Sequence, residues 1–207
     1  MRLACEASYD AIQIHCAHGY FLWLLLDPRT NRRKDDYRAN GQWMEAFFWG
    51  VRQLTLGRLL SIRLSAFIDL SDRAWELAAT TQVAKLLNTI GVDIIDLSAG
   101  YYTVDRNLIY PANDSSTSTF SFSRSLCDEL KCLVSFCGQA SNLDYFQTIM
   151  SSNQLLALGR SFIADPEFAR KYKTFRAAEI NHCRSCRHCH YFSRGRSNLE
   201  CGVNPNL

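Results

Sequence analysis

Residues 71–97, SDRAWELAATTQVAKLLNTIGVDIIDL, are the stretch on which the fold turns. Ser71 is placed to cap a helix. Ala79, Val83, Leu86 and Ile90 recur along one stripe of that helix, and Gly91 ends it. Residues 92–97 follow at once as a continuous apolar run, the kind buried on both faces in a parallel sheet. A helix that leads directly into a buried strand is part of a βα repeat, and such repeats imply a parallel sheet.

The same alternation extends to both sides. Upstream, residues 11–15 form a short strand with Ile12 and Ile14 on one face and Gln13 and His15 on the other. Residues 41–56 carry Trp43, Phe47, Val51 and Leu54 at helical spacing, with Gly57 as the stop, and residues 59–64 form the next strand. Downstream, residues 99–124 are rich in Ser and Thr and poor in periodicity, which predicts a long loop. Residues 133–137 and 155–158 are the last two strands. Between them Ser141 and Asp144 make a capping-box-like start for a short helix lined by Leu143, Phe146 and Ile149. Asp165-Pro166 opens a final helix, with Asp as N-cap and Pro in the first turn. The fold class is therefore α/β, with about five βα units where a closed (β/α)₈ barrel has eight and takes roughly 250 residues.

Composition narrows the function. The 207 residues are 47% hydrophobic and 21% charged, the profile of a soluble globular domain. A net charge of +3 is too weak to suggest nucleic acid by itself. The best apolar run, residues 20–26, is about a third of a bilayer span, so no membrane partner is expected. Glu6 and Asp10 stand where a signal peptide has its uncharged core. Nine cysteines without an export signal point to reduced thiols, metal ligands or core residues, and to a cytoplasmic protein.

Three motifs carry chemistry. The first is DAIQIHCAHGYFLWLLLDPRTNRRKDDY, residues 10–37, in which His15, His18, Gly19 and Tyr20 end a strand and Asn31, Arg33, Asp35 and Tyr37 follow in a long loop. Taken alone, the two histidines are polar residues at a strand end or metal ligands. The second is Ala157-Leu158-Gly159-Arg160 followed by Ile163-Ala164-Asp165-Pro166. The third is Cys183-x₂-Cys186-x₂-Cys189-x₁₁-Cys201, four thiols at spacings that suit a [4Fe–4S] cluster or a structural zinc. Cys5, Cys16, Cys127, Cys132 and Cys137 fit no ligand spacing and read as core or incidental thiols.

Together these motifs resemble the old yellow enzyme-type NADH:flavin oxidoreductases. The resemblance implies a partial TIM (β/α)₈ barrel, its fourth to eighth strands, over residues 1–178, and a cysteine-rich tail over 179–207. It implies FMN as cofactor, NADH or NADPH as electron donor and an activated alkene or enone as small-molecule substrate. His15 and His18 would hold the substrate carbonyl oxygen, where donors stabilise the charge that develops. Tyr20 would donate the proton. Arg63, in the strand SIRLS, matches the arginine that faces the flavin and stabilises its reduced, negatively charged form. Gly138, in SFCGQASNLDYF, matches a phosphate-binding turn, and Gly159 and Arg160 would contact the FMN phosphate. Cys183, Cys186, Cys189 and Cys201, with the residues around them, resemble the branch that includes 2,4-dienoyl-CoA reductase and trimethylamine dehydrogenase, which favours iron–sulfur over zinc.

The resemblance covers about the last three-fifths of such a barrel, as in an N-terminally truncated member. An open arc of five strands leaves an unpaired edge at each end, so association with another chain to complete the barrel is expected. The alternative is a non-catalytic fragment serving as a metal- or partner-binding module. A zinc-ribbon nucleic-acid binder, suggested by Arg184, Arg187, Arg194 and Arg196, is a weaker third reading.

Overall fold

The structure, a computed structural model, describes every residue except 69–71, 102–113, 138–149, 187, 190–194 and 196, and the backbone alone for 114–118. Five parallel strands, β1 (Ala11–Cys16), β2 (Leu59–Phe67), β3 (Ile94–Ala99), β4 (Leu133–Cys137) and β5 (Gln154–Ala157), pair in chain order. The helices among the described residues are α1 (Arg2–Glu6), α2 (Phe21–Leu26), α3 (Gln42–Leu54), α4 (Arg73–Ile90), α5 (Asp114–Cys127), α6 (Arg160–Ala164) and α7 (Phe168–Lys173), and a 3₁₀ turn spans Ala177–Glu179. The arrangement is the parallel α/β sheet that the alternation predicts, and it is consistent with the partial barrel that the resemblance implies. Among the described residues, β1 pairs only with β2 and β5 only with β4.

One face of the sheet is apolar and covered by helices. Leu60, Ile62, Leu64, Ile95, Leu97 and Val134 pack against Phe48 and Val51 of α3, Ala84, Leu87 and Ile90 of α4, and Phe122 and Leu126 of α5. Each large side chain buried here contributes about 1.5–3 kcal/mol. The opposite face is polar at its centre, with Leu59, Leu133 and Leu155 part-exposed around it. In register across it run His15, Arg63, Asp96, Ser135 and Leu155. Ser65 and Ser98 form the next level. β3 is thus not apolar on both sides: Asp96 and Ser98 alternate with Ile95 and Leu97, as period-2 geometry requires.

Three further local expectations are corrected. The N-cap of α4 is Asp72, whose carboxylate accepts from the Ala74 N–H at 3.0 Å, while Ser71 lies outside the described residues. The C-cap is Gly91 at φ +86°, as the spacing predicts. The Ser/Thr-rich stretch holds a helix, α5, in its second half. Ser123 and Ser125 turn their hydroxyls onto the carbonyls of Phe120 and Phe122, three residues back, so hydroxyl-rich composition there masks a helix. Nor does Asp165 cap the last helix. α7 starts at Phe168, and the Asp165 carboxylate accepts from the Glu167 and Asn181 N–H groups and from Lys171 Nζ. The segment with Leu143, Phe146 and Ile149 lies outside the described residues.

Phe175, beyond α7, is 98% exposed and sits at φ +57°. A side chain that buries nothing gives no return for a left-handed backbone, which costs about 1–2 kcal/mol. Phe175→Gly is expected to stabilise the protein by about 0.5–1 kcal/mol after the added chain entropy of glycine is counted. A rise in the urea midpoint at unchanged slope checks this.

Candidate active site

Strand β1 delivers His15 onto the polar face and ends at the buried Cys16. The chain then turns sharply through His18 at φ +61° and Gly19 at φ +81° before entering α2. Gly19 is required twice over: its φ is positive, and a Cβ there would meet the Tyr101 ring at 2.0 Å. The turn brings His15, His18 and Tyr20 together, with ring centroids 5.2 Å apart for His15–His18 and 5.1 Å for His15–Tyr20. Ser65 Oγ accepts from the His18 N–H at 2.8 Å, and Ser98 Oγ lies 2.8 Å from His18 Nε2. Tyr20 stays about half exposed at the mouth of the site.

The loop beyond α2 has a structural role. Asn31 is buried, and its side-chain amide donates to the carbonyls of Leu25 and Tyr37 at 2.8 Å each, clasping the loop shut. Arg33 pairs with Asp35 on the surface.

Arg63 lies beside this cluster. Its Nη1 donates to Asp96 Oδ2 at 2.5 Å, and its Nη2 donates to Ser98 Oγ at 3.1 Å and approaches Cys137 Sγ at 3.6 Å. Burial pushes the His18 imidazole down to about 4; the Arg63 cation and His15 act in the same direction, and Asp96 opposes them. His15 is lowered for the first two reasons, burial and Arg63, again against Asp96. Both rings are therefore neutral near pH 7.

A pH effect follows from His18. Its value is near 6.5 in the unfolded chain and about 4 in the folded one, so the folded state resists protonation. The stability associated with the neutral ring is present above pH 6.5 and is lost as pH falls through the window from 6.5 to 4. His18→Gln is expected to flatten that part of the stability profile, read from urea midpoints between pH 7.5 and 5.

The other sequence-predicted positions are distributed as follows. Gly159 and Arg160 lie at the end of β5 and the start of α6, and open space surrounds the position of a Gly159 Cβ. Gly138 lies outside the described residues. Among the four tail cysteines, burial pushes the Cys189 thiol up, Cys183 and Cys186 add to it, and Arg160 pulls it down. These three thiols and Arg160 thus share one electrostatic neighbourhood. The Ser185 N–H donates to Cys183 Sγ at 3.4 Å. Among the described residues, no three Cys, His, Asp or Glu side chains converge closely enough to hold a metal ion. By donor type alone, the four tail thiols would suit a thiolate-bound metal. The tail is fixed to the sheet end by Asp165 and by buried Asn204, whose Nδ2 donates to the Ile163 carbonyl at 3.0 Å.

Sequence reasoning missed Gln13, Ser61, Ser65, Asp96, Ser98 and Ser135, which make the polar floor. Their signal was present: Ser61, Arg63 and Ser65 recur every second residue, as do Asp96 and Ser98.

Residues 1–179 match the NADH:flavin oxidoreductase / NADH oxidase family. The chain belongs to that family. An NADH oxidase of Thermoanaerobacter brockii is 30% identical over 96% of the chain and 32% of its own length. An NADPH dehydrogenase of Bacillus subtilis (strain 168) is 28% identical over 81% of the chain and 49% of its own length. This member of the NADH:flavin oxidoreductase family therefore spans between a third and a half of those relatives. The histamine dehydrogenase of Rhizobium sp. 4-9 superposes with a TM-score of 0.82 over 98% of the chain and 30% of that structure at 18% identity. The old yellow enzyme of Trypanosoma cruzi superposes at 0.58 over 88% of the chain and 47% of that structure, at 17% identity. These likenesses establish the barrel-type fold. Among the described residues, no helix is long and apolar enough to cross a membrane.

Proposed function

We propose that the chain carries the substrate-activating half of an FMN-dependent NAD(P)H:flavin oxidoreductase of the ene-reductase type. The observation that supports this reading most is the cluster of His15, His18 and Tyr20 at the C-terminal end of a parallel strand, beside the Arg63 guanidinium. When bound, reduced FMN supplies hydride to the β carbon of an activated alkene or enone.

The residues present suit that group. The Arg63 guanidinium on the polar face, tied to Asp96, would stabilise the negative charge of a reduced isoalloxazine. The open space at Gly159 and the neighbouring Arg160 suit a phosphate, pairing a backbone N–H with a guanidinium. His15 and His18, held neutral, donate N–H to the substrate carbonyl oxygen as negative charge builds there. Tyr20 gives its phenolic proton to the α carbon. Residues 1–178 would act as the flavin-binding part and 179–207 as a metal-binding tail, in which Cys183, Cys186, Cys189 and Cys201 would hold a [4Fe–4S] cluster. Such a cluster supplies one-electron transfer, whereas zinc would serve only as a staple. The open edges of β1 and β5 are where further strands, of the same or another chain, complete the barrel.

The test is anaerobic reconstitution of the purified chain with FMN, iron and sulfide. Flavin absorbance that bleaches with NADH or NADPH and returns on adding an enone supports the reading, as does near-stoichiometric iron and acid-labile sulfide for the tail. A colourless chain that takes up neither flavin nor metal overturns it.

A further inference from the structure

The geometry points to Asp96 as the residue that positions Arg63 and limits how much of its charge reaches the flavin. This rests on the flavin reading above. Asp96 is only 6% exposed, yet both its oxygens are engaged. Oδ2 accepts from Arg63 Nη1 at 2.5 Å and from Gln13 Nε2 at 3.2 Å. Oδ1 accepts from Ser135 Oγ at 2.8 Å. Donors from β1, β2 and β4 thus lock the carboxylate of β3 in one orientation. A carboxylate this deep needs a cation, and Arg63 supplies it.

Arg63 is constrained in turn. Asp96 takes one terminal nitrogen and Ser98 the other, so the guanidinium plane is set by β3 and cannot swing freely along the sheet. What the polar face offers a flavin is therefore one half of an ion pair, weaker than a lone guanidinium. The same pair acts on the substrate side, since Arg63 and Asp96 pull the two imidazoles in opposite directions. Asp96 touches neither flavin nor substrate in this scheme and acts through Arg63 as a positioning residue.

Asp96→Asn keeps the shape and removes the charge. With FMN bound, it is expected to favour the reduced over the oxidised flavin by about tenfold, an upward shift of about 30 mV for a two-electron couple. Asp96→Glu keeps the charge and should stay within about threefold of the parent. An unshifted potential in Asp96→Asn, or equal shifts in both variants, overturns the assignment.

Flavin-free protein gives an independent readout. The parent should show separate, slowly exchanging Arg63 Nη resonances by NMR, and Asp96→Asn should merge them. If the parent takes up no FMN, the flavin reading fails by itself, and this guanidinium signal alone decides whether Asp96 holds Arg63. If Asp96→Asn does not fold, the parent still decides: freely rotating Arg63 Nη groups there overturn the assignment, and restrained ones support it.

Discussion

On the proposed ene-reductase reading, replacing Tyr20 by Phe is expected to slow alkene reduction by about 10²–10⁴-fold while reduction of the flavin by NAD(P)H keeps its parental rate. Proton donation contributes only when the α carbon gains its hydrogen, so removing one hydroxyl affects one half-reaction. The position is suited to this. Tyr20 is half exposed at the start of α2, with its ring 5.1 Å from the His15 ring, which would put it beside a substrate that the imidazoles held. The ring stays in Tyr20→Phe, which preserves the contact with His15. Stopped-flow measurement of the two half-reactions checks the split. Equal slowing of both would mean that Tyr20 shapes the pocket without donating the proton.

Gly19→Ala is expected to destabilise the protein by about 2–5 kcal/mol. The left-handed backbone at φ +81° costs an alanine about 1–2 kcal/mol. The methyl group would also lie 2.0–2.8 Å from three atoms of the Tyr101 ring. That ring cannot retreat cheaply, because it packs on Trp23 at 5.0 Å and its backbone bridges to His18. Overpacking of this kind adds about 1–3 kcal/mol. For a chain of this size the melting temperature should fall by about 5–15 °C. Adding Tyr101→Ala should recover the overpacking share and leave the backbone share, so thermal melts of the single and double variants separate the two causes.

The fold was legible wherever period and punctuation agreed. Gly91 stopped a helix whose apolar stripe was regular, and the strand beyond it lay within two residues of its expected place. The histidine–tyrosine cluster was legible because all its members lie within six residues of one turn. Of the polar floor only Arg63 was legible, because Gln13, Ser61, Asp96 and Ser135 come from four strands and meet only through register. Asp96 in particular sat inside an apolar run, where its neighbours drew attention to the core. Asp165 shows the opposite failure. Its place before Pro166 suggested a local cap, whereas its partners include Lys171 and Asn181, six and sixteen residues away.

The strand order has a kinetic consequence. Among the described strands, each after β1 pairs with the one made just before it, so these pairings can form in the order of synthesis. Neighbouring strands are about 20–50 residues apart in the chain, so each pairing closes a long loop, yet the loops can be closed one after another in the order of synthesis. A nascent chain can lay down β1 and β2, cover them with α3 and α4, and then extend the sheet one strand at a time. Arrested chains released after each strand should accordingly gain protease resistance in steps, with the N-terminal strands protected before β5 has been synthesised.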